Sequence, residues 1–161
     1  MISGTTSLIA HIGYPTHAFK APLIYNPYFE QAGVDAVVVP MGCQAEHYPA
    51  LLKAVFTLTN IRGALITMPH KVSTVGLLDE ATPKVRVAGA CNAVRRSEDG
   101  RLQGDMFDGE GFVRGVRRKG CRLEGGREGA LPVRHPRRIS AWFEPSSNGA
   151  LPWAGSVDRQ E

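Results

Sequence analysis

Cysteine is scarce in this sequence, with three residues at widely separated positions among 161. This odd number, without close spacing, argues against a disulfide framework and against a CxxC metal site. Metal-ligand spacing is also lacking among the five histidines. No stretch approaches the ~20 apolar residues of a membrane span, and a secretory signal pattern is missing. We therefore expect no membrane or metal partner and a reducing compartment such as the cytoplasm.

Aromatic residues are few as well, at 7% of the chain, although the protein is basic, with a formal net charge of +4. Two arginine clusters, at residues 114–119 and 134–138, supply much of the positive excess. No aromatic residues alternate with them to form a base-stacking platform. We therefore expect no nucleic-acid partner. The alternative, a basic protein that binds DNA through its arginine-rich tail, predicts steeply salt-dependent binding.

Apolar residues make up 43% of the chain, which is enough for one packed domain. Apolar, β-branched runs predict strands, and apolar residues at helical spacing predict helices between them. The predicted strands are residues 7–13, 34–40, 63–68, 90–95 and 101–104; the predicted helical segments are 22–32, 46–58, 71–78, 79–86 and 108–119. This alternation favours an α/β fold, a three-layer α/β/α domain with a mostly parallel sheet.

Polar stretches rich in glycine and proline stand at the ends of predicted strands. They are Gly13-Tyr14-Pro15 through Asn26, Thr67-Met68-Pro69-His70-Lys71, Ala88 through Val94, and Gly104 through Phe112. Ligands of open α/β sheets bind beyond the carboxyl ends of the strands, so we expect these loops to converge on one crevice.

In order and spacing, these stretches resemble four motifs of the shikimate and quinate dehydrogenase family. The motifs are Gly-x-Pro…Ser-Pro-x-x-His-Asn, Asn-Val-Thr-x-Pro-His-Lys, Gly-Ala-x-Asn and Gly-x-Asn-Thr-Asp-Gly-x-Gly-Phe. The resemblance covers about residues 7–120 in one collinear run. It implies an NADP-linked oxidoreductase that reduces 3-dehydroshikimate to shikimate, or acts on a related hydroxy acid, with a small-molecule substrate as its partner.

The resemblance also implies roles for four residues. Lys71 falls on the family's catalytic lysine and Asp108 on its aspartate partner, while Thr67 and Asn92 match positions that line the substrate pocket. A positioned acid/base group typically accelerates such a proton transfer ~10²–10⁴-fold. The alternative for each is structural: an exposed Lys–Asp pair, an aspartate that caps a helix, and a strand-end asparagine.

The sequence departs from the family pattern at the positions that bind substrate. Phe19 and Ala21 replace two serines that bind the substrate carboxylate in the family, and Lys20 is the neighbouring residue that could offer a charge instead. The other replacements are Tyr25 for histidine, Leu65 for asparagine, and Met106 and Phe107 for asparagine and threonine. A pocket that loses hydrogen-bonding groups binds a polyol acid less tightly. We therefore expect a less polar substrate or a site drifting out of use.

The composition changes near Gly125. We assign residues 1–122 to the substrate-binding domain and 123–161 to an irregular tail, expected to be poorly ordered, in place of the family's NADP-binding Rossmann domain. Residues 125–129 contain glycines but lack the flanking strand and helix of a phosphate loop. We expect no NADP binding by this chain alone and hypothesise a shifted reading frame in the tail. The alternative function is a standalone binding module or pseudoenzyme for a carbocyclic or aromatic acid. We also expect self-association, because the apolar face that a second domain would cover is exposed without it.

Overall fold

The structure is a computed structural model that describes residues 2–119. Its strands are β1 (Ser7–Gly13), β2 (Ala36–Gly42), β3 (Ile61–Ile66), β4 (Glu80–Ala81), β5 (Ala93–Arg96) and β6 (Leu102–Asp105). Its α-helices are α1 (Ala21–Gln31), α2 (Tyr48–Val55), α3 (Pro83–Ala88) and α4 (Asp108–Arg118), with 3-10 turns at Thr16–Ala18 and Ser73–Leu77.

The six strands form one sheet in the order β2-β1-β3-β5-β6-β4. The apolar strand β1 lies between β2 and β3 and is parallel to both. Strand β4 is parallel to β6, whereas β5 is antiparallel to β3 and β6. The expected α/β fold with a mostly parallel sheet is therefore confirmed, and the expected β5–β6 pair is an antiparallel hairpin whose turn uses Gly100 at φ 85°.

Helices cover both faces of the sheet because consecutive residues of a strand point to opposite sides. On one face, Ala10 and Ile12 of β1 pack in a core cluster with Tyr48 and Leu52 of α2. On the other face, Ile9 belongs to a second cluster that contains Phe29, Leu65 and Phe107. The layers are thus helix, sheet and helix, and β1 contributes to both cores.

Asn26 of α1 ties this helix to the edge strand β2. Its side-chain amide accepts a hydrogen bond from the Val38 N–H at 2.8 Å and donates one to the Val38 carbonyl at 3.2 Å. An edge strand has unpaired backbone groups, and here a side chain supplies the partners that a further strand would supply. Asn26, a residue of the first motif, therefore has a structural role.

One expected element differs. The helical segment predicted at residues 79–86 is wrong in its first part, because Glu80 and Ala81 form β4 and pair with Gln103 and Gly104 of β6. The helix α3 begins only after Thr82, whose hydroxyl accepts from the Val85 N–H at 3.5 Å. Pairing with a strand that lies far along the chain overrides the local helical pattern.

The expected irregular tail at 123–161, with the glycines at 125–129, lies outside the described residues. Among residues 2–119, no helix is long and apolar enough to cross a membrane.

Candidate functional site

The motif loops meet beyond the carboxyl ends of β1 and β3, as the strand pattern predicts. The Tyr14 N–H donates to the Met68 carbonyl at 2.9 Å, which joins the first loop to the second. The Cys91 N–H donates to the Lys71 carbonyl at 2.8 Å, which joins the second loop to the third. These backbone hydrogen bonds set the distances between side chains that are far apart in the sequence.

Lys71 and Asp108 form an ion pair at the centre of this loop cluster. The Lys71 Nζ lies 2.5 Å from Asp108 Oδ2, and the two side chains are 24% and 47% exposed. Asp108 is the first residue of α4 and Phe107 occupies the N-cap position without a side-chain capping bond. Lys71 therefore holds one oxygen of the Asp108 carboxylate, whose charge also suits the helix N-terminus.

Asn92 connects the ion pair to the backbone. Its Nδ2 donates to Asp108 Oδ1 at 2.6 Å, and its Oδ1 accepts from the Phe107 N–H at 2.9 Å. A side-chain amide has two N–H donors, so one of them remains for a ligand after the Asp108 bond is made. Asn92 thus fixes the position of the carboxylate and keeps one N–H for a further hydrogen bond.

Thr67 follows β3 and is half-buried. Its N–H donates to the Ile12 carbonyl at 2.9 Å, and its carbonyl accepts from the His70 N–H at 3.0 Å. A Cβ on Gly13 would lie 2.3 Å from the Thr67 methyl group, so only glycine permits this approach of the two loops. Thr67 therefore lies where the first two loops meet, next to Gly13.

A buried aromatic pair supports the backbone beneath Lys71. The His70 and Tyr48 rings stack with centroids 4.0 Å apart and an interplanar angle of 4°. His70 Nε2 lies 2.8 Å from the Cys43 carbonyl, and the Tyr48 hydroxyl lies 2.6 Å from Thr74 Oγ1. Both rings are almost completely buried, which makes this region a rigid base for the lysine.

His11 is a residue of the site that sequence reasoning missed. It lies on β1, is 7% exposed, and its Nδ1 has no hydrogen-bond partner among residues 2–119. Burial and the nearby Lys71 charge lower its pKa from the ordinary 6.5 to about 4, so the imidazole is neutral at neutral pH. A histidine inside an otherwise apolar strand was the signal that could have identified it.

Two aromatic side chains lie near the polar residues of the site, Phe19 against His11 and Tyr25 near Asp108. The Phe19 ring lies over His11 with ring centroids 4.2 Å apart. Tyr25 of α1 packs against the second core cluster, and burial together with the Asp108 charge raises the pKa of its hydroxyl. Tyr25 is therefore a neutral phenol close to the carboxylate.

A second polar network holds the start of α4. Asp105 is 5% exposed and accepts hydrogen bonds from Thr82 Oγ1 at 2.7 Å and Lys84 Nζ at 3.3 Å. Lys84 also lies 3.5 Å from Glu110 Oε2 and 4.6 Å from the centre of the Phe107 ring. Sequence reasoning missed these residues, which brace the turn that presents Asp108.

The described residues do not fit a nicotinamide dinucleotide. The glycine-containing start of α4 is the element nearest in pattern to a phosphate loop, but its first turn carries Asp108 and Glu110. Two carboxylates at that position repel the phosphates that a helix N-terminus would otherwise attract. No group of three potential ligands within residues 2–119 could hold a metal ion.

Comparison with known proteins gives the family. The model of the shikimate dehydrogenase substrate-binding domain matches residues 11–94. Shikimate dehydrogenase (NADP(+)) of Pelobacter propionicus is 40% identical over 109 residues, which cover 68% of this chain and 39% of that relative. The enzyme of the same name from Geobacter metallireducens is 36% identical over 71% of this chain and 40% of the relative.

Solved structures of shikimate dehydrogenases have a similar fold. Shikimate 5-dehydrogenase from Listeria monocytogenes, in complex with shikimate and NAD, superposes with a TM-score of 0.70 at 29% identity and covers 76% of this chain and 42% of that one. The Thermus thermophilus enzyme in complex with shikimate gives 0.69 at 26% identity, with 85% and 60% covered. The chain spans about two fifths of the length of the two sequence relatives. With its family model, fold and loop arrangement all in agreement, the chain belongs to the shikimate dehydrogenase family, of which it carries the substrate-binding domain.

Proposed function

We propose that this chain supplies the substrate-binding and proton-transfer half of an NADP-linked oxidoreductase of the shikimate dehydrogenase type. The observation that carries the proposal is the Lys71–Asp108 ion pair with Asn92 bonded to its carboxylate. The substrate class is a small polyhydroxylated molecule, since the similar Listeria and Thermus enzymes were solved with shikimate bound.

In this proposal Lys71 is the acid and base. During reduction its ammonium group donates a proton to the substrate carbonyl oxygen, and during oxidation its amine accepts the proton of the substrate hydroxyl. Asp108 holds Nζ in place, and Asn92 holds Asp108. The Thr67 hydroxyl and the second Asn92 N–H are the groups that would bind further hydroxyls of the substrate.

NADP is the cofactor in the names of the sequence relatives. The described residues do not fit it, so we place its site in a second domain outside residues 2–119, and we expect no NADP binding by this chain alone. The chain's own contribution is then to bind, orient and exchange a proton with the substrate.

The poor fit to a dinucleotide also favours a second candidate, a standalone binding module for a carbocyclic or aromatic acid. Both candidates predict ligand binding at Lys71, but only the first predicts proton transfer coupled to turnover. A chimera separates them: residues 1–119 joined to the second domain of the Pelobacter relative.

Two measurements test the proposal. Titration of the 161-residue chain with shikimate or its uncharged analogues should shift the NMR signals of Lys71 and Asn92. The chimera should oxidise one of these ligands with NADP⁺, and Lys71→Ala should remove this turnover, whereas Lys53→Ala on the exposed face of α2 should not. A chimera that folds and binds ligand without turnover would support the binding module instead.

Two further proposals concern the cellular compartment of the protein and its self-association. The buried free thiols of Cys43 and Cys91 suit a reducing compartment such as the cytoplasm. Exposed apolar side chains at Tyr14, Met68 and Phe112 could drive self-association. Light scattering over a range of concentrations tests the second, and a monomer at high concentration would contradict it.

A further inference from the structure

We propose that the site selects an uncharged hydroxylated ligand over the corresponding carboxylate, and that Phe19 determines this preference. The inference rests on the proposed function, because it narrows the substrate class of the same site. It follows from the charges at the site, the side chains beside them and the cations on neighbouring elements.

The charged groups at the centre of the site neutralise each other. Lys71 Nζ donates to Asp108 at 2.5 Å, so the positive charge already has a carboxylate partner. A ligand carboxylate placed there would compete with Asp108 for the lysine and would be repelled by Asp108 itself. His11 brings no compensating charge, because its pKa of about 4 leaves it neutral at physiological pH.

Apolar surface lies beside His11 and Gly13, at the junction of the first two loops. The half-buried Phe19 ring stacks on His11 at 4.2 Å and extends to within 3.0 Å of the point that a Cβ on Gly13 would occupy. That position adjoins the Thr67 methyl group, so the ring lies where the first two loops meet. Neither Phe19 nor Ala21 has a side-chain donor, and placing a carboxylate against them would strip its water without replacement.

Cations on neighbouring elements are engaged elsewhere or exposed. Lys84 lies near both Asp105 and Glu110, and Arg114 donates to Glu110 at 2.7 Å. Lys20, which follows Phe19, is exposed and forms no ion pair within the described part of the chain. A solvent-exposed lysine contributes little to holding an anion, so it does not offset the desolvation of a carboxylate.

An uncharged ligand meets no such penalty. The C–H face of a ring can pack on Phe19, while hydroxyls bind the Thr67 hydroxyl and the free Asn92 N–H. Its reacting oxygen can lie at Lys71 without bringing a second negative charge next to the Asp108 carboxylate. The arrangement therefore suits a neutral cyclic alcohol or ketone.

The test compares shikimate with two uncharged analogues, its methyl ester and the primary alcohol that replaces its carboxylate. The 161-residue chain is titrated with each while the amide signals of Lys71, Thr67 and Asn92 are followed by NMR. We expect both analogues to bind at least about tenfold more tightly than shikimate, a difference of about 1.4 kcal/mol. The double variant Phe19→Ser/Ala21→Ser should reverse the order, provided that its spectrum remains that of a folded domain.

The outcomes separate the two proposals. Shikimate binding as tightly as its analogues in the unmodified chain would overturn the uncharged-ligand inference and leave the dehydrogenase assignment intact. If no ligand shifts the Lys71 and Asn92 signals, the proposed function itself fails, and the inference fails with it. The unmodified chain decides the matter even if the double variant does not fold.

Discussion

Lys71 and Asp108 are 37 positions apart in the chain, yet Nζ and Oδ2 lie 2.5 Å from each other. Lys71 lies in the loop after β3 and Asp108 begins α4 after β6, at the same end of the sheet, and Asn92, just before β5, is bonded to the second carboxylate oxygen. The pair is half exposed, so its value for folding is small. A partly exposed, braced ion pair that adds little to stability is consistent with the proton-transfer role that we propose for it.

Replacing Asp108 with asparagine should therefore affect chemistry and leave stability nearly unchanged. We expect the free energy of unfolding to change by less than about 1 kcal/mol, because an exposed ion pair contributes little. Turnover of the chimera with its favoured ligand should fall about 10²–10⁴-fold if the pair performs proton transfer. Urea denaturation and steady-state rates measure the two effects. The control is Asp35→Asn, because Asp35 precedes the amino end of β2, at the opposite end of the strands from the ion pair. An equal loss of turnover in that variant would contradict the prediction.

Asn92→Ala should destabilise the domain by about 1–3 kcal/mol, because the half-buried amide makes two hydrogen bonds that alanine cannot make. The matched control is Asn60→Ala, since the Asn60 side chain is also half-buried but makes, within residues 2–119, only a long bond of 3.4 Å to the Thr6 carbonyl. Its cost should stay below about 1 kcal/mol. Denaturant midpoints of the two variants give the comparison, and similar midpoints would show that the Asn92 bonds contribute little.

A methyl group on Gly13 should force the first two loops apart. The added Cβ would lie 2.7 Å from the Met68 carbonyl oxygen and 2.3 Å from the Thr67 methyl, and a backbone oxygen cannot move aside easily. Overpacking of this kind costs about 1–3 kcal/mol, and we expect weaker ligand binding as well. Gly111→Ala is the control, because nothing lies within 4 Å of its added Cβ. In helix α4 it should stabilise by about 0.5–1 kcal/mol, and a stable Gly13→Ala variant would contradict the close approach.

His11 should make stability depend on pH in the acidic range. Its folded pKa of about 4 lies below the ordinary 6.5, so the unfolded chain binds the proton more readily between these values. Stability from this group is thus fully present above about pH 6.5 and is lost as the pH falls towards 4, by at most about 3 kcal/mol. His11→Phe keeps an aromatic ring beside Phe19 and should remove this part of the dependence. Urea denaturation at several pH values measures it, and identical pH profiles would argue against a neutral buried imidazole.

Several features of the protein could be predicted from the sequence alone. The apolar run at residues 34–40 predicts a parallel strand, because a strand buried on both faces is apolar throughout, and β2 is parallel to β1. The placement of Lys71 and Asp108 beyond strand ends predicts that both lie at one edge of the sheet, and the structure brings them together. The family resemblance could also be read directly, since it depends on residue order and spacing.

Other features are decided only by tertiary structure. The local sequence predicts a helix at Glu80 and Ala81, but these residues form β4. Their hydrogen-bond partners come from β6, which is distant in the chain. The proton affinity of His11 depends on burial and on the distance to Lys71, and neither is written in the local sequence. The sequence by itself determined which residues are available and at which strand ends they stand. The packed fold determined which of them touch and which keep their charge, because hydrogen bonds and desolvation depend on neighbours that are distant along the chain.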